Sequence, residues 1–332
     1  MPAWTYEKGL HQIGPASHAY LQPDGGWGWS NAGLVSDGGQ TLLVDTLFDL
    51  KLTQDMLDAM ARAVPASRKI DVLLNTHADA DHIYGNQLVP GARIIMSEAG
   101  SKEFFKVPPE LIHRIVSQPE TFGSGAQYIR EKMGPRLFDF SKVVLTPPTE
   151  TFDRSKALKV GDKDVVLTNV GPAHTAGDVV VHVVQDRVAY TGDLLFMGGH
   201  PAVWDGSIEG WIKACDHILS LDVDVVVPGH GPLTDKAGVG RFRSYLVMLL
   251  EESRKRFDAG VPLEEAAYEI AVMPDFADWN IPERIAGSVN FLYGKFGSTE
   301  ATTDFIEIFA RLDRNAKRRA ACASGDHTAC KH

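Results

Sequence analysis

The chain has 332 residues, enough for one large domain or two small ones, and its 44% hydrophobic and 23% charged residues are ordinary for a globular protein with a full core. A formal net charge of −10 gives nucleic acid and anionic membrane surfaces no electrostatic attraction, and no stretch is apolar enough to span a bilayer. Three scattered cysteines, Cys215, Cys322 and Cys330, argue against a disulfide framework, and the N-terminus has no basic segment followed by an apolar run, so the expectation is a cytoplasmic protein.

In chain order, "AGLVSDGGQTLLVDT" (32–46) reads as a hairpin, two apolar runs turning at Asp37-Gly38-Gly39. Residues 49–63 carry apolar positions at helical spacing behind an Asp cap. "KIDVLLNT" (69–76) and "ARIIMS" (92–97) are short continuous apolar runs, the mark of strands buried on both faces. Residues 97–150 hold prolines and helical pieces, and read as a helical insertion over a sheet edge. Strands return in "ALKV", "DVVLTNV", "DVVVHVV" and "RVAYTG". The helix "IEGWIKACDHILSL" and the strand "VDVVVPGH" follow, and the chain is helical past 233. Strands followed by a helix occur twice, which suits an α/β, αββα sandwich with helices outside. The expected organisation is a domain over 1–235 carrying the insertion at 97–150, then a helical extension over 236–315. Residues 316–332 are expected to be a flexible tail, with the basic cluster "RNAKRR" at its start and Cys322, His327, Cys330 and His332 within it.

Strand ends carry the polar residues that point to chemistry. Within "LLNTHADADHIYGNQLV" stand His77, Asp79, Asp81 and His82, and further along the chain come His174 in "GPAHTAGD", Asp193 in "YTGDLLF" and His230 in "VVPGHGP". Rigid strands ending in free loops are where open α/β architectures place their sites. Imidazole and carboxylate together suit zinc, manganese or iron. In an extended segment His77, Asp79 and Asp81 fall on one side, and His82 begins the next helix. Asp45, in "LLVDT", is either a carboxylate that orients a ligand histidine or a turn residue.

These residues resemble the metallo-β-lactamase superfamily, whose pattern is His-x-His-x-Asp-His after a strand, a distant His, a bridging Asp and a final His in a "PGHG" turn. The resemblance covers roughly residues 30–235 and rests on four separated elements in order. It implies that His77, Asp79 and His174 hold one metal ion, that Asp81, His82 and His230 hold a second, and that Asp193 bridges them. It implies two zinc ions per chain and hydrolysis by metal-bound hydroxide, with Asp81 orienting the nucleophile or carrying its proton. Asp79 departs from the family pattern, which has His there. The carboxylate favours manganese or iron at the first site, weakens zinc there, or leaves a single-metal site.

Around the pattern, Trp27 and Trp29 in "PDGGWGWSNAG" and Phe196, Met197 and Trp204 in "LLFMGGHPAVWD" are large apolar residues on loops, fit to bind an apolar small-molecule substrate or to pack loop on sheet. His200 either meets substrate or sits on the surface. Tyr84 is a candidate hydrogen-bond donor to a developing oxyanion. The final helices, with Trp279, Phe291 and Tyr293, pack on the sandwich or form a homodimer contact. With no basic stripe and no leader, the expected substrate is a small, fairly apolar ester, lactone, lactam or thioester. The rival readings are an iron-dependent sulfur dioxygenase and a binding protein with a weakened metal site.

Overall fold

The hairpin at Asp37 sets the first sheet. Gly38 and Gly39 take φ of +56° and +80°, the left-handed pair that a tight two-residue hairpin turn needs. The computed structural model describes residues 4, 6–23, 26–203 and 205–324. Strands β1 (Gly9–Gln12) and β2 (Ser17–Leu21) precede the hairpin strands β3 (Ala32–Asp37) and β4 (Gln40–Val44). Helix α1 (Leu50–Ala63) follows, capped by the Asp49 carboxylate, which accepts from Leu52 N. Its buried Leu52, Met56 and Met60 make one helical face. Then come β5 (Val72–Leu74), the short helix α2 (Ala80–Ile83) and β6 (Arg93–Ser97).

The region expected as a helical insertion contains α3 (Glu98–Ser101), α4 (Pro109–Ser117) and α5 (Ser124–Met133), and returns to the first sheet at β7 (Glu150–Phe152). The second sheet is built from β8 (Ser155–Val160), β9 (Lys163–Asn169), β10 (Val179–Val183) and β11 (Val188–Phe196). Helix α6 (Ile208–Ser220) leads to its last strand, β12 (Val225–His230). Four long helices complete the described chain: α7 (Lys236–Asp258), α8 (Leu263–Ala271), α9 (Arg284–Phe296) and α10 (Phe305–Ala323).

The seven-stranded sheet runs β1-β2-β3-β4-β5-β6-β7 and the five-stranded sheet β12-β11-β10-β9-β8. Their facing sides share one apolar core, with Leu21, Val35, Leu42 and Ile95 from the first and Leu167, Val181, Tyr190 and Val227 from the second. Helices cover the outer faces, α6 lying on β11, and the result is the expected αββα sandwich. Parallel pairing of β4, β5, β6 and β7, and of β11 with β12, brings the C-terminal ends of neighbouring strands to the same edge. Those ends carry Asp45, His77, Asp193 and His230.

The described chain forms two compact units. The first comprises residues up to 113, 138–197 and 206–243; the second comprises 114–137, 198–205 and 244 onward. Residues expected to be a flexible tail from 316 are helical to Ala323, where α10 ends. Arg314 and Arg318 of the basic cluster lie on this helix and pair with Glu264 and Glu265, Arg318 being the more buried of the two. Cys215 is a buried free thiol. His327, Cys330 and His332 lie outside the described residues. No helix among the described residues is long and apolar enough to cross a membrane.

Candidate metal centre

Local structure explains how each polar residue reaches the sheet edge. His77 follows β5, and Asp79 occupies the cap position of α2. An Asp there normally spends its carboxylate on the helix N–H groups, but Asp79 makes no such bond. Its Oδ2 lies instead 3.2 Å from His174 Nε2 and 3.8 Å from His77 Nε2. Asp193 sits within β11 just past an irregularity in its pairing with β12, and Gly192, at φ +51°, makes that turn. Gly229 is required by proximity: a Cβ there would stand 2.0 Å from Asp193 Oδ1.

Asp193 is the centre of the cluster. Its Oδ2 lies 3.4 Å from His230 Nε2, 3.6 Å from His174 Nε2 and 3.9 Å from His77 Nε2, and its Oδ1 lies 3.0 Å from His82 Nε2. Asp81 Oδ2 is 3.3 Å from His230 Nε2. The donors fall into two groups fit to hold a cation, His77, Asp79, His174 and Asp193 in one, and Asp81, His82 and His230 in the other. Three of these donor atoms, His77 Nε2, His82 Nε2 and Asp193 Oδ1, are buried with no hydrogen-bond partner among the described residues. The 3.0 Å approach of His82 to Asp193 is an ion-pair distance without hydrogen-bond geometry. Orphaned, converging nitrogen and oxygen donors are what a metal ion satisfies.

Charge supports the same fit. Burial alone pushes the Asp79 carboxyl up, but His174 and His77 more than reverse this and hold it at about 2. Burial alone lowers the His174 pKa, yet the Asp79 and Asp193 carboxylates raise it to about 9. For Asp193 burial is likewise outweighed, by His230 and His82, and its carboxyl lies well below the usual range. His82 and His230 are raised in turn, against the effect of burial, chiefly by Asp193. The carboxylates are therefore ionised at neutral pH, and a bound cation would compete with the protons favoured on His82, His174 and His230.

The histidines are held in two ways. Asp45, at φ +63°, accepts hydrogen bonds from Thr76 N and Thr76 Oγ1, both at 2.7 Å, and faces His82 Nδ1 at 3.0 Å. With the Thr76 proton given to Asp45, the hydroxyl oxygen accepts from His77 Nδ1 at 3.0 Å. One carboxylate thus fixes both rings with Nε2 toward the cluster. His174 and His230 have no hydrogen bond at Nδ1 among the described residues and are held by rings. Phe196 stacks on His230 at 4.9 Å and 7°, and Trp211 packs against His174 at 5.1 Å.

Other candidates go elsewhere. Tyr84 is fully buried, its hydroxyl donates to Val107 O at 2.9 Å, and its ring stacks on Phe48, so it is not placed as an oxyanion donor. Phe196 is buried behind the ligand rings rather than displayed on a loop. Met197 is half-buried and its N–H donates to His230 O. Trp27 is buried, and Trp29 is half-buried against Phe138. His200 belongs to the second unit, where it is buried with Nδ1 3.1 Å from Tyr245 Oη, and burial lowers its pKa to about 3. Trp204 lies outside the described residues. Sequence reading missed Thr76 and also Asn31, whose side chain donates to Pro228 O and Gly231 O and so fixes the turn carrying His230. It missed Asp178, which braces the His174 loop through Thr175 N and Oγ1.

The profile of the metallo-beta-lactamase superfamily matches residues 25–230. The chain belongs to this superfamily. Its matches among characterised proteins include an acyl-coenzyme A thioesterase, MBLAC2, of Gallus gallus, 21% identical over 220 residues that span 60% of this chain and 72% of the relative. Among solved structures of this fold, the stereoselective inverting sec-alkylsulfatase Pisa1 from Pseudomonas sp. superposes with a TM-score of 0.69 at 14% identity, over 97% of this chain and 57% of that one. A double mutant of the same sulfatase gives 0.71 at 15% identity over the same shares. A metallo-beta-lactamase from Pontibacter korlensis gives 0.52 at 18% identity, over 72% of this chain and 99% of that one. The chain therefore spans little more than half the length of the alkylsulfatase chains. The matched span, residues 25–230, contains the whole pattern read from residues 77–82, 174, 193 and 230.

Proposed function

We propose that this chain is a two-metal hydrolase of a small, fairly apolar ester, lactone, lactam or thioester, with acyl thioesters the first class to try. The observation that carries the reading is the convergence of four imidazole Nε2 atoms on Asp193, with Asp79 and Asp81 flanking it. The likeness to a named thioesterase supports the thioester choice, and membership of the superfamily supports hydrolysis.

His77, Asp79 and His174 would hold one cation, Asp81, His82 and His230 the other, with Asp193 shared between them. Two zinc, manganese or iron ions bound there would acidify water and polarise the scissile group. The protein's own part is positioning. Asp193 is 5% exposed and closes the deep side, whereas Asp79 and Asp81 are 29% and 15% exposed and face outward. Substrate approaches past those two carboxylates. Asp81 turns Oδ2 toward His230, which leaves Oδ1, 4.0 Å from His82, to orient water and accept its proton. Trp29, half-buried next to Ser30, whose hydroxyl donates to Asp81 O at 2.6 Å, is the apolar side chain we assign to contact the substrate.

The test is metal analysis of the purified chain combined with hydrolysis of short acyl thioesters and esters. About two ions per chain and turnover that Asp193→Ala and His230→Ala each abolish, with circular dichroism unchanged, support the reading. An active Asp193→Ala variant overturns it. Asp79 gives a second reading its footing, because a harder donor favours iron. One iron per chain and oxygen consumption with a persulfide would transfer the assignment to a dioxygenase.

A further inference from the structure

Two asparagines bound the segment that carries His77, Asp79, Asp81 and His82, Asn75 just past β5 and Asn86 just past α2. Both side chains are fully buried. A buried amide is costly unless each of its donors and acceptors is met, and here the count closes. Asn75 Nδ2 donates to His82 O at 3.0 Å and to Asn86 Oδ1 at 3.2 Å. Asn86 Nδ2 donates to Asn75 Oδ1 at 2.8 Å and to Thr146 O at 3.2 Å. The two amides form a reciprocal pair across eleven positions of chain, and the carbonyls of His82 and Thr146, which only accept, fix which way each amide points.

The pair reaches the cluster through the main chain of His82. A helix as short as α2 leaves its last carbonyls without intrahelical donors. That of His82 is met from outside, by Thr46 N and Asn75 Nδ2, both at 3.0 Å. With its two lone pairs so filled, the Thr46 hydroxyl proton goes to Asn86 Oδ1 at 3.0 Å. His82 is therefore held twice, its ring by Asp45 and its carbonyl by the asparagine pair and Thr46.

We propose that Asn75 and Asn86 are positioning residues of the cation centre. Their paired amides close the loop between them and pin the His82 main chain, so that this loop's donors stand in place before a cation arrives. The proposal rests on reading the His/Asp cluster as a cation site, and adds that the site is preformed by neutral groups that ligate nothing.

The experiment uses the full chain, stripped of metal with a chelator, and the variants Asn75→Ala, Asn86→Ala and the two combined. In the metal-free single variants, hydrogen exchange at amides 76–86 should quicken by about tenfold or more, with the amides of β9 and β10 unchanged. Zinc affinity, measured by competition with a chromophoric chelator, should fall about 10–100-fold in each single variant. The combined variant should be little worse than either single one, because both break the same pair. Thr46→Val removes only the hydroxyl that supports Asn86, and should weaken zinc in the same direction where the alanine chains do not fold. Unchanged zinc affinity in the variants that fold, additive losses in the combined chain, or exchange quickened equally in β9 and β10 each overturn the proposal. A chain that binds one zinc ion, weakened by Asn86→Ala, retires the two-metal reading and leaves the positioning role standing; a chain that binds none overturns both.

Discussion

Asp45 holds His82 by the ring nitrogen that faces away from the His/Asp cluster, Nδ1 to Oδ2 at 3.0 Å, while its two oxygens also take both Thr76 donors. An asparagine in this place has one acceptor oxygen and no charge, so it cannot serve all three donors. Asp45→Asn should lower metal affinity by about 10–100-fold. Competition with a chromophoric chelator measures this, and an unchanged constant would show that His82 needs no such support.

Gly229 is a second point of control. A methyl group there would stand 2.0 Å from Asp193 Oδ1 and would push the shared carboxylate or the turn of His230. Gly229→Ala should cost about 1–3 kcal/mol of stability and reduce the metal content of the purified protein. Thermal melting and elemental analysis report the two effects separately.

Asp79 tests the departure from the family pattern. With its carboxylate 3.2 Å from His174 Nε2 and unused as a helix cap, Asp79→His should tighten zinc at the first group, while Asp79→Ala should weaken it. If both variants bind zinc as the unaltered chain does, Asp79 is a bystander.

Acid stability has a source outside the metal centre. The Asp186 carboxylate has its side chain fully buried, 2.9 Å from Lys163 Nζ, and accepts from Ala16 N at 2.7 Å. Burial pushes its pKa up, but Lys163 and the Ala16 N–H outweigh this, so the folded value lies below the ordinary one. A depressed folded pKa contributes stability above the unfolded value of about 3.9, and that contribution is lost as pH falls through the folded value. Asp186→Asn should therefore lower the urea midpoint at pH 7, by an amount corresponding to about 2 kcal/mol. The gap from the unaltered chain should narrow as pH falls below the unfolded value and through the lower folded one. A gap of constant size at all pH values would mean that the charge of Asp186 is not what stabilises it.

Much of this was legible in the sequence because strand ends and turns leave local marks. His77, His174, Asp193 and His230 each follow or end an apolar run, and the Asp37 turn and the Asp49 cap are set by their own side chains. What was illegible depends on direction or on distant partners. Nothing local to Tyr84 tells that its hydroxyl reaches Val107, 23 residues on. Phe196 carries the same hydrophobic signal whether it lines a substrate path or backs His230. Strands β1 and β2 escaped notice because their alternation is broken by polar residues and a proline-containing link. The helix beyond residue 315 was hidden by its basic composition, whose charges are met by Glu264 and Glu265, about fifty positions earlier in the chain.

The way the ligands divide between the two sheets has a mechanical consequence. His77 follows a strand of the seven-stranded sheet, with Asp79, Asp81 and His82 close behind it, while His174, Asp193 and His230 come from the five-stranded one. Each donor group draws on both, so a cation held in either position would act as a rivet across the sandwich. With metal bound, prising the sheets apart would require breaking coordination first, and resistance to unfolding would become a function of free metal concentration. In a metal-poor environment the same chain would be quicker to open and quicker to be degraded, so its lifetime as well as its chemistry would follow the metal supply.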